Sequence, residues 1–218
     1  MEKINDIPSS PLDLILFPAW VHKKLSFRIN GLIASFLFVG AFDMLLHRNF
    51  LEIGYFKGNA MEFALRLVVF TFLSFLLGIV DVLCTMVPIS DFAKMIGKRS
   101  ERRINQRMPV VLMKSYALSN ILFVVPMILY FYSGIRWGEV NAASSQQIRL
   151  LFSVILILIT VLPYFQLGVI YRTISVRTQI TSFWKFVLIL ATYFWMRICS
   201  GAITYVEDIF LRIMASLP

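Results

Sequence analysis

Four ionisable side chains, Asp43, Arg66, Asp81 and Lys114, lie within long apolar runs of a 218-residue chain. An uncompensated charge is costly in such surroundings and usually faces a partner or a cavity. Neighbouring membrane spans run antiparallel with a rise of about 1.5 Å per residue, which sets Asp43 near the depth of Arg66 and Asp81 near the depth of Lys114. Two pairs are therefore expected, Asp43 with Arg66 and Asp81 with Lys114. They read best as neutralising contacts that fix helix register, with Arg66 and Lys114 snorkelling toward the interface. The rival is a proton or ion relay, and two pairs at opposite ends of a span do not make a continuous path. Asn120 and Gln166 are further polar groups inside apolar runs. A water-filled cavity lined by Asp81, Lys114, Asn120 and Gln166 would favour transport, whereas a dry, packed bundle would favour a scaffold.

Nucleophilic and metal chemistry fit less well. Cys84 and Cys199 are the two cysteines, far apart, and the histidines are His22 and His47. Cys84 falls near the inner end of its span, His47 at the outer end of another, and nothing brings His22 within hydrogen-bond reach of Cys84. There is no paired-histidine zinc motif, glycine-rich phosphate loop or clustered carboxylate pair. The chain is expected not to be an enzyme, with no catalytic, cofactor-binding or metal residues.

The elements that hold these groups follow from composition. Hydrophobic residues make up 59% of the chain, with 20 Phe, and the mean hydropathy is +0.78. That excess belongs to a membrane domain. The expected fold is all-α, a polytopic bundle of five transmembrane helices at about 29–46, 63–88, 108–132, 148–171 and 183–199. Residues 1–28 form an N-terminal segment with an interfacial helix, started by Ser10, Pro11 and Asp13 and carrying Trp20, Lys23 and Lys24. The N-terminus lacks the basic-then-apolar order of a signal peptide. Residues 201–218 contain Glu207, Asp208 and Arg212 between apolar residues at helical spacing, and are expected to form a separate amphipathic helix on the surface. Pro126 and Pro163 interrupt the third and fourth spans, most simply as packing kinks.

The connection 89–107 concentrates Lys94, Lys98, Arg99, Arg102, Arg103 and Arg107. Such a cluster marks a cytoplasmic segment. With the N-terminus inside, the inner segments carry twice as many Lys and Arg as the outer ones, which places the C-terminus outside. The net charge of +9 is interleaved with apolar spans, so anionic lipid headgroups are the expected partners and nucleic acid is not. Phe92, Met95, Ile96, Ile104 and Met108 add a modest apolar stripe, so the connection reads equally as a helix on the membrane surface or a solvated loop. A membrane-protein partner or a second copy of the chain is also compatible with this surface.

The N-terminal stretch LILFPAWVHKKL, the approach to the third span GKRSERRINQRMPVVLMKSYALSN with Gly97, Tyr116 and Ala117, and the link GVIYRTISVRTQITSFWKFVLIL between the fourth and fifth spans together resemble the Yip family of Rab-GTPase-interacting membrane proteins, in particular its short bacterial members. The likeness extends over about residues 11–200 and is one of spacing and hydropathy. It implies a five-span, non-enzymatic membrane scaffold or assembly factor, in a bacterial plasma membrane. Family members tend to carry a proline soon after the tyrosine of the third span; here Asn120 follows Tyr116, and Pro126 comes later. The second span ends DVLCTMVP without the acidic-Leu-Tyr-Gly-Pro type of motif of eukaryotic members, which argues against Rab binding. The expected function is a scaffold or assembly role in which the basic connection docks on lipid or an acidic partner; the alternative is a small transporter or a membrane subunit of one.

Overall fold

The computed structural model describes residues 11–47, 50, 54–100, 104–133, 135, 140–141 and 143–216. Among them all regular structure is helical: α1 (Pro11–Ile15), α2 (Ala19–Lys24), α3 (Leu32–Leu46), α4 (Ala60–Arg99), α5 (Met108–Ser119), a 3-10 turn (Asn120–Phe123), α6 (Val124–Ser133), α7 (Gln146–Arg177) and α8 (Ser182–Ser216). Four stretches are long and apolar enough to cross a membrane: α4, the run from α5 through α6, α7 and α8. The first expected span, 29–46, is only the 15 residues of α3, about 22 Å of helix against the roughly 30 Å of a hydrocarbon core.

The reason for that shortness is local. Gly31 takes φ +90°, a left-handed conformation that ends any helix running in from its N-terminal side. The carbonyls before it are turned toward a side chain instead of toward the next helical turn. Lys114 Nζ donates to the carbonyls of Arg28 at 2.7 Å and Asn30 at 2.9 Å, to the Ser26 hydroxyl at 2.9 Å and to the Ser26 carbonyl at 3.3 Å. Lys114 is thus a clamp on the lead-in segment, and the expected pair with Asp81 does not form.

Arg177 clamps the same segment one step earlier. Its Nε donates to the His22 carbonyl at 3.0 Å, and its Nη2 to the carbonyls of Lys23 at 2.5 Å and Leu25. Asp13 pairs with Arg172, and His22, fully buried, lies 2.8 Å from Thr173 Oγ1 through Nδ1 and 2.9 Å from the Leu16 carbonyl through Nε2. A carbonyl can only accept, so Nε2 carries the hydrogen. The single Thr173 hydrogen is within reach of both Nδ1 and, at 3.2 Å, the Val169 carbonyl, and the Ser115 hydroxyl lies 2.6 Å away; donation to Nδ1 is the arrangement that goes with neutral imidazole. Burial, with Arg172 and Arg177 nearby, pushes the His22 imidazole below its ordinary value of 6.5.

The docked segment therefore binds fewer protons than the undocked one, so docking is fully stabilised above pH 6.5 and weakens as the pH falls through the interval below it. Amide exchange in residues 11–28 should quicken, after correction for intrinsic rates, as buffer is taken from well above to well below pH 6.5. Unchanged protection would show that His22 is not what holds the segment.

Two helices outrun their expected limits. α4 starts on a capping box, in which the Asn59 side chain accepts from the Glu62 amide at 2.9 Å, and runs 40 residues straight through Pro88 to Arg99. Pro88 supplies no amide for the Cys84 carbonyl. That acceptor is taken by the indole of Trp195 on α8 at 2.9 Å, with the Cys199 thiol at 3.7 Å. A neighbouring helix thus satisfies what the proline frees. The first part of the basic connection is consequently helix, with Lys94 joined to Asp91 at 3.0 Å and Lys98 and Arg99 exposed at its end. Arg107 is exposed just before α5; Arg102 and Arg103 lie outside the described residues.

α8 is likewise one helix of 35 residues, so the expected break into a surface helix at 201–218 is not present through Ser216. Gly201 has open space around it and costs an α-helix only about 1 kcal/mol. Of the charged residues expected on a surface helix, Arg212 is exposed and Asp208, its side chain 43% exposed, lies 3.2 Å from His47 Nε2, whereas Glu207 lines a cavity in the bundle. The apolar core gathers in two clusters, one around Val39, Val82, Met86, Leu112, Ile170 and Leu188, the other around Met44, Phe70, Leu77, Ile203 and Met214.

Candidate functional site: a cavity within the bundle

The wall of the cavity begins with two glycines. A Cβ on Gly40 would stand 1.8 Å from the Ser74 carbonyl oxygen, and one on Gly78 1.8 Å from that of Phe36. α3 and α4 therefore meet backbone to backbone, a contact open only to glycine. Asp43 and Asp81 each follow their glycine by three residues, which keeps them near the same helix face as the contact. Both carboxylates line a cavity of about 400 Å³ bounded by α3, α4, α5, the 3-10 turn, α7 and α8.

Asp81 is 1% exposed and is held by two hydroxyls. Thr85, one turn along α4, donates to Oδ1 at 3.0 Å, and Tyr116 of α5 donates to Oδ2 at 2.8 Å. One helical turn beyond Tyr116 is Asn120, whose Oδ1 accepts from Gln166 Nε2 of α7 at 3.0 Å. Its own Nδ2, although the residue is only 6% exposed, has no hydrogen-bond partner among the described residues. Asp43 Oδ2 is also buried without one. The cavity thus presents a buried unused donor and a buried unused acceptor, a combination that the interior of a stable protein normally avoids.

Prolines shape two of its sides. Pro126 cannot bond the carbonyl four residues back and crowds it, and the chain tightens from α-helix to a 3-10 turn over Asn120–Phe123 just ahead of it. Pro163 likewise leaves the Ile159 carbonyl without its helical amide, and both residues line the cavity. On α8 the lining residues Tyr193, Arg197, Ser200, Thr204 and Glu207 recur at spacings of four and three, a single helix face. Tyr193 stacks on Tyr164 of α7 with ring centres 6.0 Å apart, and the Arg197 guanidinium lies 5.6 Å from the Tyr193 ring centre.

Of the residues expected to form intramembrane pairs, the structure brings Asp43 and Asp81 to one cavity and sends the two cations elsewhere. Arg66 donates to the carbonyls of Tyr55 at 3.1 Å and Lys57, so the expected Asp43–Arg66 pair is absent; side chains tilt toward the helix N-terminus, and Arg66 follows that tilt into the connection. Asp81, Asn120 and Gln166 line the cavity, while Lys114 does not. Glu207 and Arg197 were not foreseen as site residues, although the four-and-three spacing of polar residues in the last helix signals them. Among the described residues no three His, Cys, Asp or Glu side chains sit close enough to hold a metal ion, so the carboxylates are spread along the cavity instead of converging on a point. No family model matches the chain, and no curated protein or solved structure matches it significantly.

Proposed function

We propose that this chain is a small polytopic transporter, or the membrane subunit of one, and that the cavity between α3, α4, α5, α7 and α8 is its solute site. The observation that carries the reading is a cavity of about 400 Å³ whose largely apolar wall holds Asp81, Asn120 and Gln166, all three buried. Burying a carboxylate and two amides costs stability that a purely structural bundle recovers by packing apolar residues there. The α5–α6 run breaks into a 3-10 turn at this site, and a discontinuous helix beside polar side chains is the local architecture by which membrane carriers expose backbone to a solute. In this reading the N-terminus and the basic end of α4 lie in the cytoplasm, supported by the Lys and Arg distribution, and α3 acts with the four long helices as a fifth, thin-membrane element.

The second reading is the scaffold, and its Yip-like parentage rests on span spacing and hydropathy. It is favoured by the exposed Lys98 and Arg99 at the end of α4 and by Arg107 beside them, a surface on which each basic residue gains about 1 kcal/mol near an anionic leaflet. A scaffold has no use for the cavity, whereas a transporter has use for both features.

A substrate-independent experiment separates the two. With Cys84 and Cys199 replaced by alanine, Ser200→Cys and Phe123→Cys place single thiols in the cavity wall. Alternating access predicts that a membrane-impermeant maleimide reaches each thiol from either face of sided vesicles. Labelling from one face only, or from neither, would count against transport and for the scaffold.

A further inference from the structure

The inference deepens the transport reading, on which its physiological meaning rests, by naming the class of solute. We infer that the cavity binds an organic ammonium ion that carries a hydroxyl or carbonyl acceptor and an apolar, preferably aromatic, body. Charge comes first. Three carboxylates, Asp43, Asp81 and Glu207, line the cavity against the single cation Arg197, whose guanidinium lies over the Tyr193 ring. His47, also in the wall, is engaged by Asp208. A cation is the ligand such a lining favours, because a buried carboxylate without a counter-charge is destabilising.

The particular groups say more. Both Asp81 oxygens already have hydroxyl donors, so the ammonium belongs to Asp43, whose buried Oδ2 is unpartnered, with Glu207 as the second counter-charge. The unused Nδ2 of Asn120 is a donor, nine-tenths buried and in the cavity wall. It requires an acceptor on the same ligand, which a simple alkylammonium lacks. A metal ion offers Nδ2 no acceptor, and its ligands must converge, which these carboxylates do not among the described residues. Phe42, Phe123 and Ile159 complete the lining, and 400 Å³ is room for an aromatic body, whose ammonium also gains from ring faces.

Phenylethanolamine has all three features, and three relatives of nearly equal shape keep the aromatic body while changing either the acceptor or the ammonium. Phenethylamine lacks the acceptor, phenylethanediol replaces the ammonium by a neutral hydroxyl, and mandelate replaces it by an anion. The full chain in phosphatidylcholine nanodiscs is titrated with each by calorimetry. Phenylethanolamine should bind, phenethylamine about tenfold more weakly for the loss of one hydrogen bond to a buried donor, and the diol and mandelate without measurable heat. Asn120→Ala should abolish the preference for phenylethanolamine over phenethylamine. Asp43→Asn should weaken both amines by about tenfold or more; if that variant does not fold, Glu207→Gln tests the same point. Mandelate binding as well as the amines, or amine binding indifferent to both carboxylate variants, would overturn the inference. Amine binding without uptake into proteoliposomes would sink the transport reading and leave this one, whereas two-faced thiol labelling with no amine binding would do the reverse.

Discussion

Gly78→Leu should leave little folded protein. The first carbon of any side chain at Gly78 already falls 1.8 Å from the Phe36 carbonyl oxygen and 2.9 Å from the Gly40 amide nitrogen, and both obstacles are backbone. Neither can rotate away, so α3 and α4 must separate, and the apolar contacts on both sides of the crossing go with them. A destabilisation of more than about 3 kcal/mol is expected, at the upper end of overpacking effects. Gly40→Leu meets the Ser74 carbonyl at the same 1.8 Å and should behave alike. Ser74→Ala is the matched control: the Ser74 hydroxyl is buried without a partner, so its removal should be neutral or mildly stabilising. Thermal melting in mild detergent reads all three. A Gly78→Leu protein that melts with the parent would mean that the helices do not cross at these glycines.

The second large effect belongs to Asp81 and Tyr116. Asp81→Ala leaves the Tyr116 hydroxyl, donor at 2.8 Å, buried with nothing to receive it, and Tyr116→Phe leaves Asp81 with Thr85 alone. Each single change should cost about 1–3 kcal/mol, the carboxylate deletion nearer the top of that range. The double variant orphans neither partner and should cost less than the two losses together, with a coupling of at least about 1 kcal/mol in a double-mutant cycle. Additive losses would show that the two side chains do not act on one another.

The helical class and the long apolar segments were readable because length and hydropathy report them directly. What hydropathy does not report is the face on which a residue lies. Depth matching paired Lys114 with Asp81, but Lys114 looks out toward the carbonyls of residues 26–30 while Asp81 looks inward to Tyr116. Arg66 was lost to Asp43 for the same reason, compounded by the tilt of its side chain toward the connection. The expected end of the last span near Cys199 came from reading Glu207, Asp208 and Arg212 as solvent-facing; Arg212 is exposed and Asp208 is in part, while pairing with His47, but Glu207 faces the cavity and the helix continues through all three. Pro88 hid the continuity of α4, since nothing local reveals that Trp195, far along the chain, donates its indole N–H to the Cys84 carbonyl. Asn120 and Gln166 were the most informative polar residues, because an amide inside an apolar run has few places to turn except toward another.

The clamps on the lead-in segment bear on how the chain is made. Lys114 reaches back 88 residues to Ser26, and Arg177 reaches back 155 to His22. Both grips join parts of the chain that leave the ribosome at very different times. α1, α2 and the turn at Gly31 consequently acquire their final seat only after α5 and then α7 have been synthesised and inserted. Closure of this segment is thus a late event in biogenesis, completed by the two cations in succession, and it joins the earliest part of the described chain to a bundle already assembled around it.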